Sequence, residues 1–142
     1  MMTTVMDRGM MLGGLLLVAG ARPTLAQAPA ARPAASDSIT PAMIVRGDSI
    51  FHGKIGGGTC YVCHGQDAKG TQGLAPDLTA GKWLNGDGSF GFIVNTVQSG
   101  VPNPKESPAA MPPMGGANLA ADQVRAVAAY VYSLSRSKTH KG

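Results

Sequence analysis

The sequence contains little of what usually builds a protein core or a metal site. Aromatic residues make up only 5% of its 142 residues, and it has just two cysteines. Two cysteines exclude a structural zinc site built from four thiolates. With 20 glycines, 10 prolines and so few aromatic rings, aliphatic side chains or a non-protein group must supply most of the core. A large cofactor would fill this gap.

A long hydrophobic run is also missing. The longest, from Met10 to Ala21, is interrupted by glycines and is shorter than the roughly 20 apolar residues that span a bilayer. Arg8 precedes this run and small residues follow it, which is typical of a secretory signal peptide. We therefore predict a signal peptide over residues 1–26, cleaved after Ala26, and an exported protein with no stable membrane anchor after cleavage.

Neither sign of charge is in large excess. The chain has 12 Lys and Arg residues against 8 Asp and Glu residues, a net charge of +4, which cleavage after Ala26 would lower to about +3. So small an excess of positive charge gives no argument for nucleic acid binding. The basic residues of the segment 137–142 predict a solvated tail, with a role in steering redox partners as the alternative.

Composition and apolar periodicity divide the rest of the chain. Residues 27–39 are rich in alanine and proline and predict a flexible lead-in to a domain over residues 40–136. Thr40 and Pro41 are typical of the start of a helix, which has one face formed by Met43, Gly47, Ile50 and Phe51. Because glycine weakens a helix, Gly47 predicts the close approach of a crossing helix.

Two further helices are predicted, and the segments between them are predicted to be loops. Ser89 can cap a short helix that Gly100 ends, and its apolar face is formed by Phe90, Ile93, Val94 and Val97. The last helix runs from about Ala121 to Ser135 and lacks a good capping side chain at its start. We find no internal repeat and no alternating pattern that predicts a strand, which favours an all-α fold.

The motif that carries chemistry is Cys60-Tyr61-Val62-Cys63-His64. In a helical turn, residues at i, i+3 and i+4 lie on one face, so both thiols and the imidazole can contact one flat object. This spacing is typical of covalent haem attachment, in which two thiols form thioethers and His64 becomes an axial iron ligand. A thiol-redox pair, a disulfide or a chance occurrence are the alternatives. A thioredoxin-like motif would require a βαβ pattern around it, and helices and glycine-rich loop surround it instead.

Residues from about 40 to 135 resemble a class I c-type cytochrome of the bacterial periplasm. The resemblance implies the cytochrome c fold, with three to five short helices and long loops wrapped around one covalently attached haem c and its iron. It also implies that Gly47 and Phe51 on the first helix cross Tyr130 on the last. No substrate site is implied, so the protein is expected to be an electron carrier rather than an enzyme.

The resemblance assigns a role to Pro76 and Leu78. In the family's Gly-Pro-x-Leu segment the proline carbonyl accepts a hydrogen bond from the haem histidine, 12 residues upstream. Ala75-Pro76-Asp77-Leu78 matches it at the same spacing from His64, although Ala75 replaces the leading glycine. Pro76 would then fix the tautomer and orientation of His64. An ordinary turn proline is the alternative.

A closed electron carrier needs a second axial ligand, which the family supplies as methionine. Three methionines lie outside the predicted signal peptide. Met43 is better explained as core. Met111 begins Met-Pro-Pro ahead of the last helix and resembles the family's distal loop. Met114 is the second choice, with packing at the haem edge as its alternative role.

Other candidate haem contacts are weaker. A two-histidine site made by His52 and His140 is disfavoured, because one ends the first helix and the other lies in the basic tail. Trp83 and Tyr61 are candidates for haem contact, the Trp83 indole N–H as a donor to a propionate, with core packing as the alternative.

With both axial positions occupied, iron can only change between its ferric and ferrous states. The sequence therefore predicts a periplasmic protein that carries single electrons between a donor, such as a dehydrogenase, and a terminal acceptor. A gas-binding or sensory haem protein and a thiol oxidoreductase are alternatives of other classes. A third alternative, the cytochrome subunit of a larger oxidoreductase, shares the same chemistry.

Overall fold

The computed structural model describes residues 38–137. The predicted signal peptide, nearly all of the lead-in, His140 and the tail beyond residue 137 lie outside the described residues. Within residues 38–137 the chain forms four α-helices: α1 (Pro41–Phe51), α2 (Cys60–His64), α3 (Phe90–Ser99) and α4 (Ala121–Arg136). A 3-10 turn, Pro113–Gly116, precedes α4 and was not predicted. The described residues contain two isolated β-bridges but no strand, so the all-α prediction is confirmed.

Two helices begin at the capping residues predicted from the sequence, and a third has a contact at its start that was not predicted. The hydroxyl of Thr40 accepts a hydrogen bond from the Met43 amide at 3.2 Å, and the hydroxyl of Ser89 accepts one from the Phe92 amide, also at 3.2 Å. Ala120 has no side-chain acceptor at the start of α4. The side chain of Gln123 does supply an acceptor at this end of α4, because its Oε1 accepts a hydrogen bond from the Ala120 N–H at 2.8 Å. This bond is one half of a capping box: it satisfies the N–H of Ala120, while the first amides of α4 receive no acceptor from the side chain of residue 120.

The crossing of α1 and α4 is the centre of the apolar core. A Cβ placed on Gly47 would overlap the carbonyl of Ala126 and the Cβ of Tyr130, so only glycine allows the two backbones to approach this closely. One turn further along α1, the rings of Phe51 and Tyr130 pack 5.4 Å apart. The buried cluster around this crossing includes Ile50, Phe51, Ile93, Leu119, Val124, Val127 and Val131.

One core assignment was wrong. Met43 is only half-buried and does not belong to the buried cluster. It lies in the first turn of α1, one turn before the crossing at Gly47. Its thioether therefore contributes little to the core.

Two long loops lie between these elements, one between α2 and α3 and the other between α3 and the 3-10 turn. No helix in residues 38–137 has both the length and the apolar character that a membrane span requires.

Candidate functional site

A cavity of about 510 Å³ opens beside α2. This volume lies within the range of about 300–1,000 Å³ that is common for small-molecule and cofactor sites. Its walls come from α2, from both long loops and from α3. Seven of the residues proposed from the sequence as haem contacts line it: Cys60, Cys63, His64, Pro76, Leu78, Trp83 and Met111.

The two cysteines lie one helical turn apart in α2 and face the same cavity. Both are free and partly buried, and no disulfide joins them. Burial raises the pKa of the Cys60 thiol above its ordinary value, and the neighbouring Cys63 adds to the increase. Thiol-disulfide exchange depends on a thiolate and hence on a lowered pKa. The environment of Cys60 therefore weighs against the thiol oxidoreductase alternative.

The imidazole of His64 is held by a single backbone acceptor. Its Nδ1 lies 3.2 Å from the carbonyl oxygen of Pro76, so Nδ1 donates its proton there and the lone pair is on Nε2. Burial lowers the pKa of His64 below its ordinary value, and this outweighs the opposite effect of the Pro76 hydrogen bond. His64 is thus neutral at pH 7, which is the state a metal ligand requires.

A glycine that the sequence analysis missed brings Pro76 to His64. The amide of Gly70 donates to the His64 carbonyl at 2.8 Å, and its φ of +80° is in the left-handed region. A Cβ on Gly70 would also collide with the Ala75 carbonyl and with the backbone of Pro76. The loop can therefore turn back against α2 only with glycine at this position. The Gly-rich composition of residues 65–87 was the available signal, but it did not single out Gly70.

Of the two candidate methionines, Met111 alone lines the cavity. Its backbone is fixed by Val101, because the Met111 amide donates to the Val101 carbonyl at 3.0 Å and the Val101 amide donates back at 2.8 Å. Met114 has a φ of +54° and packs against the apolar cluster. The geometry therefore separates a methionine that faces the cavity from one that supports its wall.

Leu78 and Trp83 lie on the wall formed by the first long loop. The Leu78 amide donates to the Ala68 carbonyl at 2.9 Å, which fixes the chain two residues beyond Pro76. The Trp83 indole packs edge-on against Phe92, with ring centroids 6.2 Å apart, and Gly88 lies directly against its Nε1 atom. Trp83 thus belongs to a packed wall of the cavity.

The proposal that Tyr61 contacts haem was wrong. Tyr61 does not line the cavity. It packs instead against the core cluster and stacks with His52 at 6.5 Å. Its ring is thus engaged at the end of α1, where His52 lies, rather than in the cavity. His52 is likewise remote from the cavity, because its ring nitrogens face the carbonyls of Asp48 and Gln66.

Three contacts that the sequence did not predict attach the second long loop and the 3-10 turn after it to the rest of the site. The hydroxyl of Ser107 donates to the Leu74 carbonyl at 2.6 Å, and Lys82 forms an exposed ion pair with Glu106 at 3.3 Å. The hydroxyl of Thr59 donates to the Gly115 carbonyl at 2.7 Å. These partners are separated by 24 to 56 residues, so no local pattern indicates them.

The chemistry of the cavity fits haem better than a bare metal ion. Within residues 38–137 no group of three or more His, Cys, Asp or Glu side chains is arranged to hold a metal. The cavity offers instead one neutral imidazole, one thioether, two thiols on one helical turn and mostly apolar walls. This donor set suits an iron whose other ligands come from a macrocycle.

Comparison with known proteins agrees with a haem site in this cavity. The family model for cytochrome c matches residues 44–135. The chain is 36% identical over 105 residues to the Cbb3-type cytochrome c oxidase subunit CcoP of Rubrivivax gelatinosus, covering 73% of this chain and 30% of that protein. It is 42% identical over 76 residues to subunit CcoP of Rhodobacter capsulatus, covering 53% and 25%. It is 33% identical over 95 residues to subunit FixP of Rhizobium meliloti, covering 66% and 28%.

These alignments leave most of each relative unmatched, because the chain spans less than a third of the length of these proteins. No solved structure matches the chain significantly.

Proposed function

The chain belongs to the cytochrome c family, and from this premise we propose that it carries single electrons in the periplasm between a donor such as a dehydrogenase and a terminal acceptor. As a member of that family it binds haem c with its iron covalently and functions in electron transfer. When bound, the haem supplies an iron that changes between the ferric and ferrous states.

Each residue of the proposed site has a separate task. Cys60 and Cys63 form the thioether bonds, which prevent loss of the cofactor outside the cytoplasm. His64 would hold the iron through its free Nε2, and the Pro76 carbonyl orients the ring by accepting the hydrogen bond from Nδ1. Met111 would offer its sulfur to the iron from a backbone position held by Val101. Apolar walls exclude water, which together with the thioether ligand favours the ferrous state.

The observation that carries this proposal is the presence of His64 and Met111 on the walls of one cavity with both cysteines. If both axial positions are taken by protein, iron keeps no position for a substrate. The site then supports a carrier rather than an enzyme in its own right.

The ligand assignment is tested with two alanine variants of the exported holoprotein. Met111→Ala is expected to lose the weak charge-transfer band of sulfur-to-iron ligation, because it removes the only described methionine that lines the cavity. Met114→Ala is the matched control and is expected to keep the band. The reverse result would make Met114 the ligand.

The covalent cofactor has an independent test. The protein, expressed with a haem-maturation system, is expected to give the pyridine haemochrome spectrum of haem c in the periplasmic fraction. A spectrum without c-type bands contradicts haem attachment, and recovery only in the cytoplasmic fraction contradicts the proposed location. Rapid and complete binding of carbon monoxide to the ferrous form would favour the gas-binding alternative over a six-coordinate carrier.

A second candidate function is the cytochrome subunit of a larger oxidoreductase. The observation that favours it is that the relatives described above are named as subunits of Cbb3-type cytochrome c oxidase. Purification of a tagged chain from its native membranes and periplasm distinguishes the two functions. A stoichiometric complex supports a subunit, whereas a monomer that exchanges electrons with added partners supports a free carrier.

A further inference from the structure

Thr59 occupies the N-cap position of α2, but its side chain does not cap that helix. A threonine at this position normally accepts a hydrogen bond from one of the first helical amides. Here the hydroxyl donates instead to the carbonyl of Gly115, 56 residues further along the chain, at 2.7 Å. The haem-attachment helix therefore lacks a local side-chain cap, and its N-cap residue is bonded instead to the 3-10 turn Pro113–Gly116.

The turn that receives this bond has an unusual backbone. Met114, Gly115 and Gly116 have φ angles of +54°, +66° and +85°. Positive φ at a methionine is strained, and such strain persists only where surrounding contacts hold the backbone in place. A Cβ placed on Gly115 would lie 3.8 Å from both the Cys60 sulfur and the Thr59 hydroxyl, so this turn lies directly beside the start of α2.

The proposed distal ligand lies between two anchored points. On one side, Val101 pairs with both backbone polar groups of Met111. On the other side, Pro112 and Pro113 restrict the backbone as far as the turn that Thr59 holds. When the Thr59–Gly115 hydrogen bond breaks, the segment 112–116 loses its attachment to α2 and the Met111 side chain gains freedom to move.

We propose that Thr59 is a positioning residue, whose hydrogen bond to Gly115 holds the distal loop against the haem-attachment helix and slows the departure of the Met111 sulfur from iron. This inference rests on the proposed function, since it takes Met111 as the distal ligand. It assigns to Thr59 control of the rate at which the sixth iron position opens, without contact between Thr59 and the iron.

Imidazole binding to the ferric holoprotein measures this rate. At saturating imidazole, the observed rate reaches a limit set by the opening of the sixth position. Thr59→Val removes the hydroxyl at nearly constant volume and is expected to raise this limiting rate roughly threefold to tenfold, the effect of one lost hydrogen bond. Thr59→Ser keeps the hydroxyl and is expected to retain a limiting rate near that of the wild type.

Ser133→Ala is the matched control, because it removes a hydroxyl-to-carbonyl bond of the same length, 2.7 Å, that lies within α4. Its limiting rate is expected to equal that of the wild type. If Thr59→Val does not mature with haem, Thr59→Ala at this exposed position tests the same expectation.

The outcomes separate this inference from the proposed function. A limiting rate within twofold of the wild type in the Thr59 variants, together with loss of the charge-transfer band in Met111→Ala, overturns the role of Thr59 and leaves the proposed function intact. A wild-type protein without that band overturns the ligand assignment itself. Equal acceleration in Thr59→Ser and Thr59→Val also overturns the inference, because Thr59→Ser keeps the hydroxyl and the effect then cannot come from loss of the bond to Gly115.

Discussion

Two histidines of this chain lie in opposite environments. Burial keeps His64 neutral, with one ring nitrogen facing a carbonyl. Both ring nitrogens of His52 lie 2.9 Å from backbone carbonyl oxygens, those of Asp48 and Gln66, and the Asp48 carboxylate is 3.1 Å away. A neutral imidazole has a single N–H, so only the protonated ring satisfies both carbonyls.

These contacts predict a pH-dependent stability. The hydrogen bond to Gln66, followed by the contacts with Asp48, raises the pKa of His52 above 6.5 despite partial burial and the nearby Lys54. The folded pKa therefore exceeds the unfolded one, so the stabilisation is complete below about pH 6.5 and is lost as the pH rises through the folded pKa. Its size corresponds to one additional hydrogen bond, about 1 kcal/mol.

Urea unfolding of the holoprotein between pH 5 and pH 9 measures this effect. His52→Gln is expected to be less stable than the wild type at pH 5 by about 1 kcal/mol, with the difference shrinking towards pH 9. A difference that stays constant across this range would show that His52 stabilises the fold through packing rather than through its charge.

At the level of helices, two helical glycines have different roles. Gly47 lies where α1 crosses α4, and a Cβ there would overlap the Ala126 carbonyl. Gly91 lies in α3, and a Cβ there would have no atom within 4 Å. The same substitution therefore tests close packing at one site and intrinsic helix propensity at the other.

We expect Gly47→Ala to lower the free energy of unfolding by about 2–3 kcal/mol, because the crossing must widen to admit a methyl group. Gly91→Ala is expected to raise it by about 0.5 kcal/mol or less, since alanine is the better helix former and Gly91 lies in the first turn of α3. Chemical denaturation of both holoprotein variants checks this pair. Equal effects of the two substitutions would contradict the close crossing of α1 and α4.

The helices were more predictable than the loops, and the reason is physical. A cap such as Thr40 or Ser89 acts on an amide three residues away, so the sequence window that contains the helix also contains its signal. The bridge between Val101 and Met111 and the bond between Ser107 and Leu74 join distant residues. Such contacts depend on how the loops pack, and no local residue pattern specifies them.

At the scale of the whole molecule, few large apolar side chains are available both to fill the core and to line the cavity. Among residues 38–137 the largest fully buried side chains are those of Phe51, Ile50 and Val127, and a cavity of about 510 Å³ lies beside α2. Empty apolar space lowers stability because the atoms that line it lose packing partners. The bound cofactor is thus expected to act as a large part of the core.

Removal of both attachment sites tests this expectation. Cys60→Ser/Cys63→Ser is expected to lack covalent haem in the pyridine haemochrome assay and to be less stable than the holoprotein by about 3 kcal/mol or more, since a ligand that binds only the folded state stabilises it. Thermal unfolding followed by circular dichroism checks the prediction. A haem-free variant as stable as the holoprotein would show that the polypeptide forms its core alone.

The sequence by itself determined the all-α class, the positions of three helices and the haem-attachment motif, because each depends on residues within about four positions of one another. Tertiary structure decided that Met111 and not Met114 lines the cavity. It also decided that the Tyr61 ring stacks on His52, and that the hydroxyl of Thr59 donates to the Gly115 carbonyl instead of capping α2. These outcomes depend on which distant segments pack together. A scarcity of aromatic residues and cysteines indicates that a cofactor completes the core, but only the folded loops define the space that it fills.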